Sequence, residues 1–433
     1  MLTSGAGDRN PAGFSAFDFS PRESVVAAVS GGGDSLALLL LLQTHLRRAA
    51  LSTRIVAVTV DHGLRAESAA EAVQVGILCR ARGLEHRVLR WDGAKPATGI
   101  SAAAREARYL LLAQVAAGLG ADLVLTGHTA DDQAETVAMR ARRGDGVGLA
   151  SMAPATLFDA TVWIGRPLLD QSRAALRAFL QAEGVAWIDD PSNANPASER
   201  VRVRREIAAS ADPEASRQML LAQAAAAAVV RAALGERAAD IIRLHARQVS
   251  PGLFRLSPDF AAGDPDAAHH ALRLLLAAVG GATHLPDESR ASLLFGRLAG
   301  GPFRATLAGA AVDARKPGIF LHREFRGEGP AAIPAAAGVV WDGRFRIDAA
   351  PAAAGLLVAP FGKARAAEAA AAPASLVRAA LAAQPYGHHS LTPLVSPYAR
   401  FLPSFDLAAA QALAELLRAP PFPPPPFAGD IAP

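Results

Sequence analysis

The run Val25-Val26-Ala27-Ala28-Val29-Ser30-Gly31-Gly32-Gly33-Asp34-Ser35 leads into the apolar stretch Leu36 to Leu42. It sets three consecutive glycines, one carboxylate and two hydroxyls between a strand and a helix. Such a junction is suited to phosphate. Glycine lets the backbone approach an anion closely and take positive φ, and Ser35 can cap the helix whose free N–H groups face the same anion. Asp34 would repel a phosphate directly, so its place in the loop implies a bridging Mg²⁺, which takes carboxylate and phosphate oxygens together. The plain alternative is a glycine-rich turn without a ligand, and the strand feeding directly into the loop argues against it. Spacing excludes two commoner phosphate loops. No Gly-Lys-Ser/Thr follows four residues after a glycine here, and Leu36 stands where the dinucleotide fingerprint needs glycine or alanine.

A second cluster is Gly127-His128-Thr129-Ala130-Asp131-Asp132-Gln133-Ala134-Glu135-Thr136. If Ala130 begins a helix, Asp132 and Glu135 lie three apart on one face, where they can coordinate a second Mg²⁺ or orient the first. Asp131 is offset by one position and suits the helix dipole. His128 precedes the helix and can donate to a phosphoryl oxygen or accept a proton. Acidic residues are common in a helix's first turn for dipole reasons alone, so the cluster gains its chemical meaning from the glycine loop. Arg105 and Arg108 share a helical face and can pair with phosphates, or form a solvated face beside Glu106. His62 at a strand end reads equally well as a satisfied histidine, and Asp61 and Arg65 can pair with each other.

These groups need elements to position them. Val25–Val29, Ile55–Val60, Glu85–Leu89 and Leu123–Thr126 are short apolar or β-branched runs. They alternate with stretches that suit helices, Leu36–Arg48, Ser68–Arg82 and Ser101–Leu119. The order predicts an α/β domain with a parallel sheet and helices on both faces, whose ligands sit beyond the carboxyl ends of the strands at a topological switch point. The segments after the first, second and fourth strands are the chemically rich ones.

With 433 residues the chain has room for two or three domains. The formal charge is only +4, yet the pI is about 9.7, because arginine keeps its charge at high pH. This permits a nucleic-acid partner without demanding one. Cys79 is the only cysteine, which rules out an intramolecular disulfide and any Cys-x-x-Cys metal or redox site. The first twenty residues lack a basic start followed by an apolar core, and no run offers about 20 uncharged apolar residues. The expectation is a soluble, cytoplasmic protein with no membrane partner.

Ser-Gly-Gly-Gly-Asp-Ser resembles the pyrophosphate-binding loop of the N-type ATP pyrophosphatases, of adenine-nucleotide α-hydrolase-like fold. The resemblance narrows to the tRNA(Ile)-lysidine synthase family. Its elements match Ser30–Ser35, Val60-Asp61-His62-Gly63-Leu64-Arg65, Ala104-Arg105-Glu106-Ala107-Arg108-Tyr109, Gly127-His128 with Asp131 to Thr136, Arg166-Pro167-Leu168-Leu169 and Asp190-Pro191-Ser192-Asn193, in the family's order, from about Val25 to Arg205. The resemblance implies that ATP adenylates the 2-carbonyl oxygen of the wobble cytidine in a tRNA(Ile) with a CAU anticodon. The amine of free L-lysine then displaces AMP to give lysidine, which pairs with adenosine. On this reading Ser30, Gly31, Gly32, Gly33, Asp34 and Ser35 bind ATP, and Asp34 with Asp132 or Glu135 holds Mg²⁺. His128 and Arg108 join those three carboxylates in catalysis, while Arg105, Arg200 and Arg204 contact the tRNA or its cytidine. Two positions depart from the family pattern. Val201 stands where it has asparagine between arginines, and Thr129 where many members carry histidine, glutamine or asparagine.

The implied organisation is a catalytic domain over 20–210, a helical linker and second domain over 211–330, and a small α+β tRNA-binding domain over 335–433. Pro213 to Arg247 is alanine-rich with high helix propensity, Asp287-Glu288-Ser289-Arg290 looks like a helix start, and Val339 to Ile347 reads as a hairpin turning at Asp342-Gly343. Ala366–Ala372 is low in complexity, and Pro420–Pro426 reads as an extended or disordered arm. A homodimer is compatible with the sequence. A tRNA-thiolating relative would need paired cysteines, and an amidotransferase would need a glutaminase nucleophile. A catalytically inactive nucleotide-dependent RNA-binding protein would show broken carboxylates, whereas Asp34, Asp131, Asp132 and Glu135 are all present.

Overall fold

The computed structural model describes residues 12–63, 68–93, 95–144, 146–190, 195–349, 355–369, 375–387 and 390–429. Leu64 and Arg65, Pro191-Ser192-Asn193 and Ala370 to Ala372, all singled out above, lie outside the described residues. The chain forms two compact units, Met1–Arg231 with Pro424–Pro433, and Ala232–Pro423.

In the first unit, a short helix α1 (Ala12–Ser15) precedes β1 (Ser24–Ala28), α2 (Gly33–Arg48), β2 (Arg54–Asp61), α3 (Ser68–Ala81), β3 (Glu85–Arg90), α4 (Ile100–Gly118), β4 (Leu123–Leu125) and α5 (Ala130–Ala141). The strands β5 (Ala155–Phe158) and β6 (Val162–Gly165) follow, then α6 (Arg173–Ala182) and α7 (Glu199–Ala208), and the first part of α8 (Pro213–His245). The sheet order within this unit is β5-β6-β4-β1-β2-β3. All neighbours are parallel except the β5–β6 hairpin. Its centre is the run Val25–Ala27 paired with Ile55–Ala57 on one side, while Val26 and Ala27 meet Val124 and Leu125 on the other. The switch point therefore falls between β1 and β4, and the segments following those strands open into one crevice. Leu36 to Leu42 are all buried, which is why that helix reads as a continuous apolar run with no polar face. The β5–β6 hairpin was not foreseen. Its turn carries positive φ at Asp159 and Ala160, without the Asn-Gly or Asp-Gly pair that marks such turns.

Helix α8 opens with proline, tolerated in a first turn, and runs through its alanines to His245. By length and composition it could cross a membrane, although Arg217 and Arg231 leave it no run of about 20 uncharged apolar residues. Alanine raises the average of a helix that still carries Arg217, Arg231, Glu236 and Arg237. The proline-rich tail is extended and ordered. Asp18 N–H donates to Pro426 O at 3.0 Å, Ala428 N–H donates to Ala16 O at 2.9 Å, and the Phe17 and Phe427 rings lie 5.4 Å apart.

The second unit holds an antiparallel sheet of β7 (Ala246–Ser250), β8 (Leu253–Leu256), β9 (Phe303–Leu307), β10 (Ala310–Arg315) and β11 (Gly318–Arg323), in the order β7-β8-β11-β10-β9. Helix α9 (Pro265–Gly280) is buried along most of its length against it. Helix α10 (Glu288–Gly296) starts where expected, with the Asp287 side chain accepting the Arg290 N–H. The unit also holds two three-stranded sheets and helices over Lys363–Glu368, Ser375–Ala382 and Leu407–Leu417, and the hairpin at Asp342-Gly343 is present, pairing Trp341 with Phe345.

Candidate active site

The loop after β1 closes on itself before it faces a ligand. Helix α2 begins at Gly33 with Gly32 as N-cap, and no side chain caps it. The expectation that Ser35 would serve as the cap is thus corrected. Ser35 lies inside the first turn, where its hydroxyl donates to Gly32 O at 2.9 Å and accepts the Ser30 N–H at 3.1 Å. Ser35 N–H turns back to Gly32 O at 3.1 Å, and no side chain caps the N–H groups of Gly33 and Asp34, the condition under which a helix N-terminus attracts an anion. Gly31 sits at φ +85°, and a Cβ there would come within 2.9 Å of Ile188 Cδ1. The loop is pinned from outside by the Ile188 N–H, which donates to Gly31 O at 3.0 Å. A side chain at Gly127 would lie 2.8 Å from Asp34 O, so glycine there lets the segment after β4 press against the loop.

Helix α5 starts at Ala130, the condition on which the pairing of Asp132 and Glu135 depended, with Thr129 as N-cap. Thr129 N–H donates to Asp132 Oδ2 at 3.0 Å and Asp132 N–H donates to Thr129 Oγ1 at 3.3 Å, which makes a capping box. The small hydroxyl at this position therefore has a structural use. Asp132 Oδ1 points into the crevice, where Arg173 and Arg200 each donate to it at 3.2 Å. Glu135, 2 % exposed, gives both carboxylate oxygens to Arg204 at 2.6 and 3.3 Å. Asp131 reaches across to cap a neighbouring helix, accepting the Arg173 N–H at 2.7 Å at the start of α6.

Sequence reasoning missed Arg173. Its guanidinium lies 3.3 Å from Asp34, 3.2 Å from Asp132 and 3.5 Å from Glu135, one nitrogen to each. Burial works against its charge, but Asp132, Asp34 and Glu135 outweigh burial and raise its pKa. For Asp34, burial raises the carboxyl above its usual range, opposed by Arg173 and reinforced by Asp132. No spacing signal ties an arginine in the first turn of α6 to a loop 139 residues earlier.

A different set of cations gathers around Tyr109, with Arg105 and Arg108 lining the crevice. Arg105 and Arg108 flank the ring of buried Tyr109, their guanidinium carbons 5.0 and 5.3 Å from its centroid. Arg166, 6 % exposed, donates to Ala153 O at 2.8 Å and Thr156 Oγ1 at 3.0 Å. No carboxylate of the described residues pairs with Arg105, Arg108 or Arg166, and burial lowers the pKa of Arg105 and of Arg166. Burial would raise the Tyr109 phenol, yet Arg105, Arg166 and Arg108 reverse the shift and lower it. Burial, then Arg166, Arg108 and Arg105, hold His128 well below its ordinary value, so it is neutral at physiological pH. Its Nδ1 is 2.9 Å from Thr126 Oγ1. His62 is likewise lowered by burial and then by Arg108, and its Nδ1 has no partner among the described residues.

This crevice has a volume of about 470 Å³ and is lined by Ser30, Gly32, Gly33, Asp34, His128 and Arg173 among others. A second chamber of about 530 Å³ shares His62, Arg105, Arg108, His128 and Arg200 with it. Helix α7 sends Arg200 and Arg204 to Asp132 and Glu135, while Arg202 is exposed and donates to Pro196 O and Ala197 O. Val201 is 6 % exposed and Val203 1 %, so the departure from asparagine places an apolar side chain in packing. Among the described residues, no three of His, Cys, Asp and Glu are grouped to hold a metal by themselves. Asp34 and Asp132 do turn two carboxylate oxygens toward one positive group, a donor pair of the kind Mg²⁺ takes beside substrate phosphates.

A glycine loop over a helix N-terminus, set at the switch point of a parallel sheet, defines an α/β nucleotide-activating domain. The chain matches the PP-loop domain family over residues 12–211. Among solved structures it is similar to a U34-tRNA thiolase, NcsA, from Methanococcus maripaludis, with a TM-score of 0.39 and 19% identity over 46% of this chain and 70% of that one. Among curated proteins it is similar to the tRNA(Ile)-lysidine synthase of Mesorhizobium japonicum, 50% identical over 97% of each chain. That of Brucella anthropi is 43% identical over 77% of this chain and 75% of the relative. The chain belongs to the tRNA(Ile)-lysidine synthase family.

Proposed function

We propose that this protein is a ligase that makes lysidine at the wobble cytidine of tRNA(Ile) bearing a CAU anticodon. The cytidine O2 attacks the α-phosphorus of ATP and pyrophosphate leaves. The amine of L-lysine then attacks C2, and AMP departs carrying O2. The observation that carries this reading is the junction of the Ser30–Ser35 loop and α5 in one crevice, with a wall of carboxylates on one side and unpaired arginines on the other.

The backbone N–H groups at the start of α2 suit the leaving pyrophosphate. Arg105 and Arg108, lacking carboxylate partners, suit the anionic adenylate or an RNA phosphate. Neutral His128 suits hydrogen bonding or proton acceptance at the cytidine. Mg²⁺, held by Asp34 and Asp132 with phosphate oxygens, would stabilise the charge that builds on the leaving group. Glu135 commits both oxygens to Arg204 and serves better as the anchor of that arginine. Cys79 is buried and its thiol is pushed up to about 11, which disfavours sulfur transfer as an alternative.

The segments 20–210, 211–330 and 335–433 divide the work as activation, connection and tRNA recognition, in a cytoplasmic enzyme. The test is incubation with ATP, Mg²⁺, labelled lysine and purified tRNA(Ile) bearing CAU. Label on that tRNA and on no methionine tRNA is the expected result, and label on neither would overturn the reading.

A further inference from the structure

We infer that Arg173 is a built-in countercation: it occupies the place of a divalent cation between Asp34 and Asp132, and hands these carboxylates over when metal and pyrophosphate moiety arrive, moving its own charge onto phosphate. The inference rests on the reading that Asp34 and Asp132 are the metal's ligands. Three observations carry it. First, the guanidinium addresses Asp34, Asp132 and Glu135 with three different nitrogens, so a divalent cation between Asp34 Oδ2 and Asp132 Oδ1 would meet a like charge in the same place. Second, the other carboxylates do not depend on it. Asp132 also pairs with Arg200, and Glu135 with Arg204, whereas Asp34 has Arg173 as its only ion-pair partner among the described residues. Withdrawal of Arg173 leaves one new unpaired charge, at the loop carboxylate beside the phosphate seat.

Third, the backbone of Arg173 is fixed while its side chain is long. Asp131 accepts its N–H, Ser172 Oγ accepts the Ala175 N–H, and the Ala130 N–H donates to Gln171 O at 2.9 Å. The Cα is thereby held at the rim of the crevice that Arg173, Asp34 and the glycines line together. A guanidinium pivoting from such a point stays within the same cavity, and phosphate oxygens match its planar fork as well as carboxylates do.

Two binding measurements on the full-length protein test this without turnover. Free Mn²⁺ is followed by its electron paramagnetic resonance signal in the absence of nucleotide, and pyrophosphate binding is followed by calorimetry in the presence of a chelator. Arg173→Met should tighten Mn²⁺ at least tenfold and weaken pyrophosphate at least fivefold, and Arg173→Lys should shift both in the same directions by smaller factors. The opposite signs distinguish a handover from simple neutralisation, which would tighten metal and leave pyrophosphate unchanged or tighter. If Arg173→Met is too unstable to assay, the lysine variant carries the test. Mn²⁺ affinity within twofold of wild type, or pyrophosphate affinity not reduced, overturns the inference. Asp34→Asn separates it from the metal reading: if that variant loses Mn²⁺ while Arg173→Met merely equals wild type, the ligands stand and the handover falls. Should no form bind Mn²⁺, both fall.

Discussion

Two groups of arginines, one reaching the carboxylates and one around Tyr109, gather at the crevice in opposite electrostatic states. Arg173, Arg200 and Arg204 are matched by Asp34, Asp132 and Glu135, so that wall is close to neutral. Arg105 and Arg108 have the Tyr109 ring, and buried Arg166 behind them has backbone and hydroxyl oxygens, but none of the three has a carboxylate partner among the described residues, so that side keeps unmatched positive charge. Burying an unmatched cation is costly. A structure that tolerates this cost on one wall while cancelling charge on the other is arranged to receive an anion on the first and to exchange cations on the second.

The largest effect expected on this contrast comes from Asp34→Asn. Pyrophosphate release should fall by about a thousandfold or more, on the scale of losing a principal electrostatic stabiliser, with tRNA binding changed less than twofold. Release at the wild-type rate would remove Asp34 from the chemistry and erase the distinction between the walls. Next is Arg108→Ala on the unmatched wall, expected to slow single-turnover modification by about a hundredfold. Arg108→Lys should recover little, since a point charge cannot reproduce the planar fork.

The matched wall is probed by the two faces of α7. Replacing Arg200 and Arg204 together by alanine should lower the single-turnover rate by roughly tenfold with little change in the salt dependence of tRNA binding. The Arg202 and Arg205 pair should spare the rate and reduce the salt slope by about 0.7 to 0.9 for each RNA phosphate left without its arginine. A steep fall in slope at unchanged rate in the first pair would reverse the assignment. Recognition away from both walls is tested at exposed Lys363 and Arg365. Charge reversal of both to glutamate should weaken tRNA binding by roughly fivefold to tenfold, the scale of a few phosphate interactions, and leave ATP binding untouched.

The smallest effect concerns His128. Its folded pKa is depressed, so below about pH 6.5 the unfolded chain takes up a proton that the native site refuses. Stability is lost as pH falls from there toward the folded value, by at most about 1.4 kcal/mol per pH unit for one proton. His128→Gln should flatten the acid side of the stability profile measured by urea melts at pH 7 and pH 5. An unchanged profile would mean that the imidazole already titrates normally.

The parts of this site that were legible in the sequence are those whose chemistry is local. The loop Ser30–Ser35 announces itself because glycines, a hydroxyl and a carboxylate must be adjacent to do their work, and Asp132 with Glu135 because helical spacing acts within one turn, whereas the Thr129 cap was not read. The strands β1 to β4 were legible from their apolar runs. What stayed hidden depends on topology. Arg173 meets Asp34 only after the sheet has folded, and Asp131 caps α6 although it belongs to α5. The expected Ser35 cap fails because the helix starts three residues earlier than its apolar run. The β5–β6 hairpin was hidden because non-glycine residues occupy its positive-φ positions.

The return of the tail to Phe17 bears on the order of synthesis. Residues 424–429 belong to the same compact unit as α1 and β1, yet they emerge from the ribosome after every strand of the second unit. A nascent chain can therefore build its sheet and glycine loop early, but the edge formed by Ala16, Phe17 and Asp18 waits for its pairing partner until translation has passed Ala428.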